Sequence, residues 1–309
     1  MKVGFVIDER YLLHHYEGHP ENKYRLEAID DGMRVHGLYN HVELIEPFFA
    51  NADLITLNHD PQYIEEVMQT SKSGGGWLDP DTYVNTHTFD VARLAVGGVI
   101  KATQKLLDGE IEGAFCAIRP PGHHAEYAKA MGFCIFNNVA IAARYLLNKG
   151  LERIFIVDFD AHHGNGTQHA FYTESRVFYF STHQYPFYPG TGSAEERGAG
   201  EGYGTTLNIP MPFGADDELY KQAYGQTLVA GVKGYKPQFL LVSAGYDLHK
   251  DDPLTGLNVT DKGVEFIVET IVRLAKELNI PVLFALEGGY NLDVLKRNVP
   301  KTVEIMLSS

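Results

Sequence analysis

The stretch "RIFIVDFDAHHGNG", Arg153 to Gly166, runs from an unbroken apolar segment straight into two carboxylates, two imidazoles and a turn of small and amide residues. Continuous Ile/Phe/Val runs mark strands covered on both faces by helices, as in the parallel sheets of α/β proteins. Such sheets hold their ligands beyond the carboxyl ends of the strands, so the polar residues that follow are read as a site. Alternate side chains of an extended chain share a face. Asp158, Asp160 and His162 are therefore predicted to form one ligand-like row as the chain leaves its strand.

The same pattern recurs along the chain. Strands are predicted at "KVGFVID", "GAFCAI", "RIFIVDF", "RVFYFST", "TTLNIP", "QFLLVSAGY" and "PVLFALEGG". Segments with apolar spacing of three and four lie between them, including "FDVARLAVGGVIKATQKLLDGE", "NNVAIAARYLLNKG", "DDELYKQAYGQTLVAGVKGY" and "TDKGVEFIVETIVRLAKELN"; these read as helices. Thr260 is placed near a helix start and Gly150 just past a helix end. No repeat, low-complexity tract or linker interrupts the series. The expectation is one α/β domain over residues 1–309 with a mostly parallel sheet. Four strands then deliver polar residues at their carboxyl ends: His123 and His124, the Asp158–Asn165 stretch, Asp247, and Tyr290.

Composition narrows the function. Against 40 Asp and Glu stand 26 Lys and Arg, for a formal charge of −14, which argues against a nucleic-acid partner and favours neutral or cationic substrates. The two cysteines, Cys116 and Cys134, lie in apolar settings with no CxxC pair, so neither a disulfide framework nor a thiolate zinc site is expected. The amino-terminal "MKVGFVIDER" is too short an apolar run for a signal peptide, and no segment reaches membrane-spanning length. A cytoplasmic protein with no membrane partner is expected; the sequence is compatible with oligomers.

Aspartate and imidazole ligands suit zinc, and a catalytic zinc keeps three protein ligands and one open position. Asp160, His162 and Asp247 supply that number. In "RPPGHHA" two prolines and a glycine fix the turn before His123 and His124, a pair fitted to proton transfer near neutral pH. Asp158 and Asn165 can orient these rings through their second nitrogens. Asp158 should favour the charged form of His123, whereas neutral Asn165 leaves His124 available as a base. In "EGGYN", Tyr290 reads either as a buried anchor or as a hydroxyl that donates to an oxygen developing charge.

Together "HPENKYR", "RPPGHHA", "GFCIFNN", "VDFDAHHGNGTQ", "FYPGTGS", "SAGYD", "DPLTGL" and "EGGYN", in that order, resemble the zinc-dependent histone deacetylase superfamily. The pattern is closest to its class II branch, which also contains bacterial deacetylase-like proteins and acetylpolyamine amidohydrolases. The resemblance implies an arginase-like fold with about eight strands and amide hydrolysis at one zinc held by Asp160, His162 and Asp247. It makes His124 the main general base, His123 its electrostatic and acid partner, and Tyr290 the oxyanion donor. It implies an acyl-lysine tunnel walled by Phe133 and Tyr188, with Gly132 beside them; phenylalanine is common where Tyr188 stands. A structural monovalent cation, potassium or sodium, is implied at Asp158, Asp160, His162, Ser181 and Thr182. Asp79 or Asp81 would accept a substrate backbone N–H. Arg25 would bind the outgoing carboxylate, although by itself it reads as a helix-surface arginine.

The related ureohydrolases hold two manganese ions with carboxylates that are absent here, where Gly164 and His249 stand; one ion is favoured. The substrate expected is an acylated lysine, with acetylated polyamines as the alternative and a non-catalytic acyl-lysine binder as a reading of another class. Polyamine-selective relatives carry a glutamate where Leu254 stands, and an apolar residue there offers no counter-charge for a second ammonium.

Overall fold

The computed structural model, which describes residues Met1–Ser309, pairs the predicted apolar runs in parallel. Its strands are β1 (Val3–Val6), β2 (Glu43–Leu44), β3 (Gly76–Asp79), β4 (Thr82–Val84), β5 (Gly113–Cys116), β6 (Ile154–Asp158), β7 (Val177–Gln184), β8 (Thr206–Met211), β9 (Phe239–Ala244) and β10 (Val282–Leu286). Eight of them form one sheet in the order β2-β1-β5-β10-β9-β6-β7-β8. Every neighbouring pair is parallel, so the expected mostly parallel sheet is wholly so. Each residue of β1, β5, β6, β9 and β10 is buried, which is why these runs are continuously apolar and show no alternation. Strands β3 and β4 form a separate antiparallel hairpin.

Helices cover the sheet. The amphipathic helix Asp261–Leu278 lies beside Leu292–Leu307, which in turn packs on Tyr24–Val35. No helix is long and apolar enough to cross a membrane. Both cysteines are free and buried.

Some local expectations need correction. Segment 216–235 is not one regular helix: Asp217–Gln222 and Val229–Tyr235 flank a π-helical turn at Ala223–Leu228. Thr260 stands at the N-cap position of its helix as expected, with its hydroxyl donating to Asp217 Oδ2 at 2.6 Å rather than accepting a helix N–H. Gly150, with φ +91°, does stand just past the end of Asn138–Asn148. Strand β10 stops at Leu286, which leaves Glu287, Gly288 and Gly289 in the loop beyond it.

The site-bearing strands β5, β10, β9 and β6 are adjacent in the middle of the sheet. Their carboxyl ends therefore open side by side, and residues far apart in sequence converge without long loops.

Candidate active site

The predicted row beyond β6 is split. Asp158 Oδ1 accepts the backbone N–H of Asp160 at 3.2 Å, a local turn that swings the chain and sends the two carboxylates to different partners. Asp158 Oδ2 faces His123 Nδ1 at 3.0 Å and accepts from the Tyr179 hydroxyl at 3.0 Å. Asp160 and His162 instead join Asp247 from the β9 loop. His162 Nδ1 lies 2.9 Å from Asp247 Oδ2 and 3.2 Å from Asp160 Oδ1.

These separations are close to the roughly 3.3 Å that ligands about 2.0–2.1 Å from one ion keep across a tetrahedral angle. The outer oxygens are fixed by backbone donors: Gly288 N–H to Asp160 Oδ2 at 2.7 Å and Ala161 N–H to Asp247 Oδ1 at 2.8 Å. Burial and the Asp160 charge push the Asp247 carboxyl up to about 6. Burial alone would lower His162, but its hydrogen bonds to Asp160 and Asp247 raise it to about 10. Two buried carboxylates competing for one proton-like charge are a donor set suited to a divalent cation.

The geometry also bears on a second ion. A Cβ at Gly164 would lie 2.3 Å from Asp158 Oδ2 and 2.6 Å from the Tyr179 hydroxyl, so no ligand-bearing side chain fits there. His249 turns its nitrogens to the Asp251 N–H at 3.1 Å and to Asp261 at 3.2 Å, both outside the Asp160–His162–Asp247 group.

The histidines stand beside this cluster, their ring centroids 4.1 Å apart. His124 Nδ1 lies 2.7 Å from Asn165 Oδ1, while Asn165 Nδ2 donates to Glu126 and to the His124 carbonyl. The amide orientation is thus set by its other partners, and His124 Nδ1 must carry the hydrogen. Burial lowers His123, but Asp158, Asp160 and Glu287 outweigh it and raise its pKa well above 6.5. Burial and the positive neighbours His123 and His162 hold His124 well below 6.5. Opposite environments have pushed the pair apart, leaving one charged and one neutral ring.

Around them the walls close. Gly132, at φ +56°, packs so tightly on His124 that a Cβ would come within 2.4 Å of its ring. Phe133 follows with φ +70°, a conformation that a bulky residue adopts only when its surroundings enforce it. Its ring stands edge-on to Tyr290 at 5.7 Å. Tyr188 is edge-on to His124 at 5.4 Å, and Phe187 stacks on His162 at 5.4 Å. Burial keeps the Tyr290 phenol protonated, far above its ordinary range. Leu254 and Tyr290 hang from one group: their N–H groups donate to the two oxygens of Asp252 at 2.9 and 2.8 Å. Asp79 and Asp81 lie at the β3–β4 turn, close enough to Tyr188 to raise its phenol further after burial. Ser181, inside β7, pairs in register with Asp158 at the end of β6, and Thr182 follows it. The hydroxyl of Ser181 is engaged by His183 and that of Thr182 by Tyr224.

Arg25 corrects the surface reading. It is completely buried, donating to the carbonyls of Gly289 at 2.7 Å and Glu287 at 2.5 Å and to Glu21 at 3.1 Å, with its guanidinium 5.1 Å from the Tyr290 ring centre. Glu21 also takes a two-point contact from Arg119, at 2.6 Å twice. Burial would raise the Glu21 carboxyl, but Arg119 outweighs it and holds it down at about 2. Sequence reasoning assigned no role to Glu21, Arg119, Asp252 or Glu287, although each lies inside one of the motifs "HPENKYR", "RPPGHHA", "DPLTGL" and "EGGYN".

Residues 19–306 match the histone deacetylase domain family. The "Probable deacetylase" of Archaeoglobus fulgidus is 43% identical over 95% of this chain and 82% of its own length. "Histone deacetylase 14, chloroplastic" of Arabidopsis thaliana is 40% identical over 96% of this chain and 74% of its own. Among solved structures, the "HDA15 HD domain" superposes with a TM-score of 0.95 at 32% identity, covering 100% of this chain and 88% of the other.

Proposed function

This chain belongs to the histone deacetylase family, and on that premise we propose that it is a zinc-dependent deacylase that releases an acyl group, acetyl foremost, from the side-chain amide of lysine. Asp160, His162 and Asp247 would hold the ion. Zinc, when bound, supplies Lewis-acid polarisation of the acyl carbonyl and makes water easier to deprotonate. His124 Nε2, left unprotonated because Nδ1 donates to Asn165, takes a proton from the attacking water. The Tyr290 hydroxyl donates to the carbonyl oxygen as negative charge develops on it. Charged His123, held by Asp158, supports proton return through the pair to the departing amine. Water and amide thereby become carboxylate and free amine. Phe133 and Tyr188 flank the lysine chain, Gly132 keeps His124 in place, and Asp79 or Asp81 accepts a substrate N–H. We place a potassium or sodium ion at Asp158, Asp160, His162, Ser181 and Thr182, and assign Arg25, beneath Tyr290, to the path of the carboxylate product.

The observation that carries this reading is the unequal pair: one imidazole on a carboxylate and one on a neutral amide, both beside the Asp160–His162–Asp247 group. Leu254, with no charge to pair with a second ammonium, supports lysine over polyamine substrates, whereas the acidity of the chain would draw polyamines to the entrance. A hydrolysis panel of acyl-lysine peptides of several acyl lengths, acetylated polyamines and small acetyl esters tests the proposal. Turnover should be best on an acyl-lysine peptide. No amide hydrolysis by the zinc-loaded protein would overturn it, and a preference for acetylspermidine or acetylputrescine would overturn the substrate class alone.

A further inference from the structure

We propose that Glu287 is the positioning residue that fixes the histidine pair relative to Tyr290. Its side chain is buried to within 1% of its surface. Oε2 accepts two consecutive backbone N–H groups, those of Gly122 at 2.7 Å and His123 at 3.1 Å, and Oε1 accepts from the Ser243 hydroxyl at 3.0 Å. The same residue is tied through its main chain: its N–H donates to Ala244 at 3.0 Å and its carbonyl accepts from Arg25. Three residues later the chain reaches Tyr290. One side chain therefore joins the turn that presents the two imidazoles to the loop that presents the phenol.

The turn needs such an anchor. It enters through Pro120 and Pro121, which have no N–H to give, so Gly122 and His123 hold the first donors available before His124. Gly122 is also sealed in place, since a Cβ there would meet Asn138 N at 2.6 Å and Phe136 O at 2.7 Å. His123, Cys134 and Glu287 lie close enough together to suggest a second metal group. Both Glu287 oxygens and His123 Nδ1 are already in hydrogen bonds within the protein, and burial first, then Glu287, keeps the Cys134 thiol protonated. The cluster is a hydrogen-bonded joint. Displacing a reacting group by about 1 Å costs on the order of 100-fold in rate, so the joint matters only if its reach is right.

Side-chain reach and the carboxyl group separate in two variants. Glu287→Gln keeps the reach: its oxygen can accept both N–H groups while its amide nitrogen donates to Ser243. Glu287→Asp keeps the carboxyl group but is one methylene too short for Gly122 and His123 together. This inference rests on His124 and Tyr290 acting together in amide hydrolysis. The zinc-loaded full chain would be assayed on an acetyl-lysine peptide alongside zinc content and amide hydrogen exchange of residues 119–125. Glu287→Asp should lower kcat by roughly 100-fold with KM and zinc content within about twofold of wild type, and the Gly122 and His123 amides should exchange faster. Glu287→Gln should restore kcat to within about fivefold and keep both amides protected. Normal kcat in Glu287→Asp, or a loss in Glu287→Gln as large as in Glu287→Asp, would overturn the positioning role. So would unchanged exchange in Glu287→Asp, a result that stands even if the wild type hydrolyses no acyl-lysine and the functional reading itself fails.

Discussion

Asn165 Oδ1 stands 2.7 Å from His124 Nδ1 in the place where the neighbouring His123 has a carboxylate. This choice of amide over carboxylate fixes the tautomer of His124 without stabilising its charged form. Asn165→Asp should raise the pKa of His124 from its depressed position, and a base acts only when unprotonated. The acid limb of the kcat/KM profile should therefore move to higher pH, with the loss of rate greatest on the acid side. An unmoved acid limb in a folded, zinc-loaded variant would remove His124 from the role of base.

Tyr290 is held by its backbone rather than by its hydroxyl: Asp252 takes its N–H, and Arg25 grips the carbonyl of Gly289 before it. The phenol is left free for substrate. Tyr290→Phe should lower kcat by roughly 100-fold while KM and zinc content change little. Near-normal turnover would return Tyr290 to a packing role.

The readable part of this protein is the part that lies in continuous runs. Residues 153–166 carry strand, turn and candidate ligands in one stretch, so the parallel sheet and the Asp160–His162 motif could be read from spacing. Strand β2 could not: it is two residues long, with Leu44 largely exposed at the sheet edge. Hairpin β3–β4 was hidden by its glycines and by a register shift between Trp77 and Asp79. Arg25 sits four residues after Glu21, a spacing that looks like an exposed helix pair; only the docking of the β10 loop onto it makes it buried. Glu287 and Asp252 open the motifs "EGGYN" and "DPLTGL", but what they hold was not legible, since their partners lie 165 and 38 residues away in sequence.

Leu254 shares the Asp252 carboxylate with Tyr290 and is half-buried. Leu254→Glu puts a charge beside the loop that carries Tyr290. An added ion pair of about 1 kcal/mol would raise the ratio of kcat/KM for acetylspermidine to that for an acetyl-lysine peptide by roughly fivefold. A ratio that stays constant would remove this position from substrate selection.

Stability should depend on pH through buried neutral histidines remote from the ligands. His59 Nε2 accepts the Asn137 N–H at 2.8 Å, and burial lowers its pKa from 6.5 to about 4. Between those values the unfolded chain binds the extra proton and the folded one does not. Its contribution is thus fully present above pH 6.5 and is lost as pH falls towards 4. His59→Gln removes this dependence, so the stability gap between wild type and variant should close by roughly 3 kcal/mol from pH 7 to pH 4 in urea unfolding. A gap that does not change with pH would contradict the buried neutral state.

We propose a single zinc held by Asp160, His162 and Asp247 in a lysine deacylase. Its most direct test is to strip the protein with a chelator, confirm the fold by circular dichroism, and titrate zinc back while following hydrolysis of an acetyl-lysine peptide. Activity should vanish on stripping and return in full at one equivalent, with Asp247→Ala failing to bind zinc tightly. Full turnover by the metal-free chain, or a requirement for two equivalents, would contradict the account.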